Sequence, residues 1–110
     1  MTIIARCNTS LSIEGREIGP GNKTYFIADI AANHDGDLGR AKDLIYLAAE
    51  AGADAAKFQH FQAKTIVSDK GFRDMGSKQS HQSKWNKKVV EVYQDATVHL
   101  NWTDELKRTC

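Results

Sequence analysis

Two short apolar runs, each carrying one charged residue, constrain this chain more than any other feature in it. The first is Tyr25-Phe-Ile-Ala-Asp-Ile-Ala-Ala-Asn-His-Asp-Gly36, and the second is Ala55-Ala-Lys-Phe-Gln59. Lys57 follows Asp29 by 28 positions. Side chains alternate along a strand, so Asp29 shares a face with Ile27 and Ala31, and Lys57 shares one with Ala55 and Gln59. A run that is apolar on both faces suits a buried parallel strand. Enzymes built on parallel sheets place their chemistry at the carboxyl ends of the strands. An acid and a base facing the same way on consecutive parallel strands therefore point to an active site more than to a core.

The residues between the runs read as a helix. Leu38, Ala41, Leu44, Ile45 and Ala48 repeat at i, i+3, i+4 and i+7, while Arg40, Asp43 and Glu50 fall elsewhere. Asp35 or Asp37 supplies an N-cap, and Gly52 a C′ residue. The pattern predicts strands over 24–31 and 55–59 with a helix over 37–51 packed across them. Asp29, Lys57 and Gln59 are expected on one side, at the strand ends. The βαβ unit runs from Phe26 to Gln59, an ordinary length for the motif.

Residues 1–22 read as a β-hairpin extension, with Leu11, Ile13 and Ile18 around Gly15 and a second break at Gly19-Pro-Gly-Asn22. Residues 60–84 lack a periodic apolar face and read as a long loop, which a domain keeps when it binds or covers something. Val89, Val92, Tyr93 and Ala96 give another helical stripe. Thr103 is the expected N-cap of a last helix, inside which the sequence ends. Two strands apolar on both faces need more sheet and more helices than the chain supplies. The expectation is the opening of a larger α/β protein; a (β/α)8 barrel takes about 250 residues.

Composition removes several function classes. Among 110 residues the net charge is +1, which offers no electrostatic case for nucleic acid or membrane as a partner. Lys84, Lys87 and Lys88 read as a solvated helix face. No segment has the length to span a bilayer, and the N-terminus lacks the pattern of a signal peptide. Cys7 and Cys110 stand at the two ends, without CxxC spacing. Reduced thiols and a cytoplasmic location are the expectation.

Lys57 is the foremost candidate for chemistry. It offers a fixed cation for phosphate or carboxylate, or a Schiff-base nucleophile if desolvated. The plainer reading is an ammonium reaching solvent. Asp29 is either a carboxylate that orients a hydroxyl or handles a proton, or the salt-bridge partner of Lys57. Asn33 and His34 lie where βα loops build sites, but a loop histidine beside an aspartate reads first as a local hydrogen-bonding residue. His60, His81 and His99 are scattered, and no HxH or HxxxH pair supports a metal site. Gln59 suits a polyol, or simply ends its strand.

Phe26-Ile-Ala-Asp-Ile-Ala-Ala-Asn-His-Asp-Gly-Asp-Leu38, Ala41-Lys-Asp-Leu-Ile45, Ala51-Gly-Ala-Asp54 and Lys57-Phe-Gln59 closely resemble the start of the N-acetylneuraminate (sialic acid) synthase family, which includes legionaminate and pseudaminate synthases. Ile13-Glu-Gly-Arg-Glu-Ile18 resembles its leading hairpin. The resemblance covers nearly all of residues 12–110 and is strongest over 25–62. It implies a hairpin at 1–22 and the first part of a (β/α)8 barrel at 23–110. It implies condensation of phosphoenolpyruvate with an N-acylated amino sugar, giving a nonulosonic acid and phosphate. It assigns Lys57 to the phosphoenolpyruvate anion, and places Asp29 where the family has a catalytic glutamate. Gln59 and Asn33 fall on polar positions near the site. The 71–84 loop diverges from the family, which leaves its substrate asparagine unplaced there, with Gln82 and Lys84 as alternatives. A divalent metal, manganese or magnesium, is implied with its ligands outside this chain, and a homodimer is implied at full length. The isolated chain is expected to be inactive. The alternatives are a Schiff-base aldolase using Lys57, or a non-catalytic piece of the same fold.

Overall fold

The computed structural model describes residues 8–75 and 86–110. Strands β1 (Leu11–Ile13) and β2 (Arg16–Ile18) form an antiparallel hairpin with Leu11 opposite Ile18. Its turn holds Glu14 at φ 48° and Gly15 at φ 80°, the paired positive φ of a two-residue hairpin. The second break is a turn closed by Asn22 N–H on the Gly19 carbonyl (3.1 Å), with Gly21 at φ 82° after Pro20.

Strands β3 (Ile27–Ala31) and β4 (Ala55–Phe58) pair in parallel, and helix α1 (Leu38–Glu50) connects them. The expected βαβ unit is therefore present, with slightly shorter strands. β3 starts at Ile27 because the Phe26 amide donates to the Asp54 carboxylate (2.8 Å) instead of to a strand. Asp54 also pairs with Arg16, whose guanidinium donates to the Thr24 carbonyl (3.1 Å) and lies 5.0 Å from the Tyr25 ring centre. These contacts tie the hairpin to the corner that opens β4. The Phe26 N–H and the Arg16 guanidinium hold the Asp54 carboxyl below the usual aspartate range.

Asp37 is the N-cap of α1, accepting from the Arg40 amide at 2.8 Å. At the other end Gly52 takes φ 85°. Its N–H bonds the Ala49 carbonyl while Ala53 N–H bonds Ala48, a Schellman closure. The buried stripe of α1 is Ala41 and Ile45, set against Ile30 of β3 and Leu106, with Phe58, Ala56 and Trp102 packed around them. One face of the two-stranded sheet is thus covered. The other leaves Ile27 57% exposed.

Two expectations need correction. The stretch read as a loop contains α2 (Ala63–Ile66) and α3 (Asp69–Met75). Local chemistry builds α3: Ser68 Oγ accepts from the Gly71 amide (3.0 Å), and Arg73 pairs with Asp69 one turn away (2.7 Å). Such a helix is stabilised at its cap and surface, so it shows little apolar period. The second correction concerns Thr103. It is not an N-cap but the first residue of α5 (Thr103–Thr109), which continues from a 3₁₀ turn at Leu100–Trp102. Its hydroxyl lies 3.2 Å from His60 Nε2 instead.

The stripe at Val89 becomes α4 (Val89–Asp95). Lys87 pairs with Asp95 at 2.7 Å, and Asp95 raises the Lys87 pKa chiefly through that hydrogen bond. Cys110 is an exposed free thiol. Cys7, His81, Gln82 and Lys84 lie outside the described residues.

Candidate active site

Asp29 and Lys57 are direct partners in the β3–β4 register. Their side chains leave the sheet on the face away from α1, and Lys57 Nζ donates to Asp29 Oδ1 at 3.1 Å. Phe58 packs on the α1 side, as the alternation of β4 requires. Both charged side chains are about half exposed, 58% for Asp29 and 53% for Lys57. An exposed pair of this kind contributes only about 0–1 kcal/mol to stability. The pair therefore presents a cation and a carboxylate to whatever occupies the open face.

Just beyond the pair, the strand is broken in a specific way. Ala31, not Ile30, pairs with Phe58, so Ile30 forms a bulge. Ala31 then takes φ 52°, a left-handed conformation rare for a residue with a Cβ. Asn33 closes this turn twice: its N–H and its Nδ2 both donate to the Ile30 carbonyl, each at 3.0 Å. The Asn33 carbonyl in turn accepts from Arg40 Nε at 2.7 Å. Its side-chain Oδ1 remains as an acceptor. Gln59 continues the pairing through its N–H to the Ala31 carbonyl (3.2 Å). Its side chain lines a cavity of about 460 Å3 with His60, Phe61, Ile66 and Tyr93. The structure thus joins Asp29 to Lys57 directly, and puts Asn33 and Gln59 at the strand ends, where the hydrogen bonds they donate among the described residues go to the backbone of β3.

His34 is the residue that the sequence undervalued. It is fully buried, between the rings of Phe58 (centroids 6.4 Å apart) and Trp102 (5.7 Å). Its Nδ1 accepts from the Gly36 amide at 3.0 Å, in line with the local role expected of it. Burial lowers its pKa, with Asp35 opposing and His60 adding to the shift. His60 and His99, scattered in sequence, gather here: His60 meets Thr103, and His99 stacks edgewise on Trp102 at 5.2 Å. A larger cavity of about 910 Å3 opens beside the loop, lined by Asp35, Gly36, Gln62, Lys64, Asp95 and His99 among others. No three His, Cys, Asp or Glu side chains among the described residues are placed to hold a metal. No described helix is long and apolar enough to cross a membrane.

The NeuB family profile matches residues 44–110, more than half of the sequence. The chain belongs to the NeuB family. The matched range includes Lys57 and Gln59 and begins after Asp29 and Asn33. This NeuB-family chain is 51% identical over 49 residues to N,N'-diacetyllegionaminic acid synthase of Legionella pneumophila, covering 44% of the chain and 14% of that protein. It is 51% identical over 45 residues to human N-acetylneuraminate-9-phosphate synthase, covering 41% of the chain and 12% of that protein. A pseudaminic acid synthase of Campylobacter jejuni is 32% identical over 88 residues, 79% of the chain and 25% of that protein. The chain therefore corresponds to a small part of the length of these relatives.

Proposed function

We propose that this chain supplies the first βα units of a (β/α)8 barrel that condenses phosphoenolpyruvate with an N-acylated amino sugar. The observation that carries the reading is the Asp29–Lys57 pair on the open face of a parallel β3–β4 sheet in a NeuB-family chain. In a closed barrel that face turns inward, and residues at strand ends meet the substrate. The uncovered Ile27 and the free edges of the two-stranded sheet are consistent with further strands joining it.

In the proposed reaction, C3 of phosphoenolpyruvate attacks the aldehyde carbon of the open-chain sugar and a carbon–carbon bond forms. Water adds at C2, and phosphate leaves with cleavage of its C–O bond. Lys57 holds the phosphate or carboxylate of phosphoenolpyruvate by a charge-assisted contact. Asp29 keeps the Lys57 ammonium in place and positions a sugar hydroxyl or a proton. Gln59 and the Oδ1 of Asn33 contribute polar contacts to the sugar. A divalent metal, manganese or magnesium, held by residues outside this chain, would polarise the sugar aldehyde in the full-length protein. Full-length homodimerisation and a cytoplasmic location belong to the same proposal.

Phosphoenolpyruvate binding by full-length Lys57→Ala and Lys57→Arg variants tests the assignment. Loss of a charge-assisted contact of ~1.5–3 kcal/mol weakens binding roughly ten- to a hundredfold in Lys57→Ala. Arginine keeps the charge but alters reach, so Lys57→Arg restores part of it. Unchanged binding in Lys57→Ala removes the anion-anchor role. Borohydride trapping of a pyruvate adduct in the wild type indicates a Schiff-base aldolase instead.

A further inference from the structure

We propose that His34 is a positioning residue: its neutral imidazole, through Nδ1, locks the turn that carries Asn33 to the strand ends, and protonation releases that turn. The inference builds on the reaction proposed above but concerns a residue to which that reaction assigns no contact.

Three observations carry it. First, the side chain is wholly buried in a ring-lined site between Phe58 and Trp102. Second, among the described residues its ring makes one hydrogen bond, as an acceptor, from Gly36 N–H to Nδ1. An imidazole nitrogen that accepts has no proton, so in the neutral ring Nε2 must carry it. Third, that buried Nε2 has no hydrogen-bond partner among the described residues. The rings of Phe58 and Trp102 pack beside this imidazole, a tolerable setting for one N–H but a poor one for a cation.

The bond closes a turn under strain. Asp35 stands at φ 51° and Gly36 at φ 76°, two successive left-handed residues. An aspartate tolerates that region better than most side chains, but it still carries a cost that a hydrogen bond can offset. The acceptor Nδ1 supplies one, in the manner of an Asx turn. The same turn presents the Asn33 carbonyl to Arg40 Nε and the Asn33 amide to Ile30. Protonation changes more than charge. It converts Nδ1 from acceptor to donor, so two N–H groups then confront each other across 3.0 Å. The latch and the charge state are thus the same switch.

The surroundings set its direction. Asp35 on the same turn favours the cation, and His60 beyond β4 opposes it. Arg40 of α1 lies 3.6 Å from Asp35 and dilutes its pull. Trp102 separates His34 from His99, and α4 presents the Asp95 backbone carbonyl to Gly36. Burial is the largest influence, and it lowers the His34 pKa below its ordinary 6.5. The latch is therefore closed above that value and opens as pH falls through the lower folded-state value.

Two variants separate the possible roles. His34→Asn retains an acceptor for Gly36 but cannot become cationic. His34→Phe retains ring volume but offers no acceptor. Nitrogen-15 NMR of histidine-labelled protein reads the tautomer, and hydrogen exchange reads the Gly36 amide. The expected result is an Nε2-protonated neutral His34 at neutral pH, with Gly36 exchange rising on acidification. His34→Phe should raise that exchange at least about tenfold at neutral pH, whereas His34→Asn should keep it slow and make it insensitive to acid. In the full-length protein, His34→Asn should retain phosphoenolpyruvate condensation within a few-fold and lose its acidic limb, and His34→Phe should lower kcat/KM for the sugar about tenfold or more. An Nδ1-protonated or cationic ring at neutral pH overturns the proposal. So do equal effects of both variants on exchange and activity, which mark a packing role only. If the full-length wild type performs no condensation, the reaction assignment fails. The NMR and exchange results then decide the latch by themselves.

Discussion

Gly36 and Gly52 both sit in the left-handed region, at φ 76° and 85°, but in different surroundings. A Cβ at Gly52 meets nothing within 4 Å, whereas one at Gly36 lies 2.8 Å from the Asp95 carbonyl oxygen. Replacing each with alanine imposes the same backbone penalty, about 1 kcal/mol. It also removes the same unfolded-state freedom, so these effects cancel in the comparison. What remains is the contact. A backbone carbonyl at the end of α4 cannot swing aside like a side-chain tip, so the loop or the helix must shift. Overpacking of this kind costs about 1–3 kcal/mol. Gly36→Ala is therefore expected to destabilise by about 1–3 kcal/mol more than Gly52→Ala. Urea titration of both variants, followed by far-ultraviolet circular dichroism at constant m-value, measures the difference. Equal losses would refute the reasoning, because they would show that α4 does not press on the 33–36 turn.

Asp37→Ala removes the side-chain cap of α1 and should cost about 0.5–2 kcal/mol by the same titration, with Asp37→Asn close to wild type. Asp54 has a carboxyl held below its ordinary 3.8 by Phe26 N–H and then Arg16, so its contribution to stability is present above 3.8 and lost as pH falls through the folded-state value. Acid titration of stability should show that component in the wild type and lack it in Asp54→Ala; identical acid profiles would refute the assignment.

The legible part of the fold was local. Ile27 to Ala31 and Ala55 to Phe58 announce strands, and the stripe from Leu38 to Ala48 announces a helix, because period two and period 3.6 are written within a few residues. Asp37 and Gly52 mark the helix ends for the same reason: a cap bonds to amides or carbonyls one turn away. Since alternation fixes faces, the Asp29–Lys57 pairing also followed from spacing, once the two strands were taken to be parallel. Ser68 is a readable cap signal for α3, although the helix it opens shows little apolar period.

The rest depended on residues far apart in the chain. Nothing near Asn33 shows that Ile30 bulges out of the β3–β4 register, since a bulge exists only relative to a partner strand. Thr103 has the chemistry of an N-cap, yet it meets His60, 43 positions away, because the 3₁₀ turn already starts the helix before it. His34 shows the division most sharply. Its bond to Gly36 is local, in keeping with the hydrogen-bonding role that the sequence suggests. Its complete burial requires Phe58 from the next strand and Trp102 from near the end of the chain. Sequence determined which atoms His34 could bond; the tertiary packing decided that the ring is buried, and that burial is what lowers its pKa.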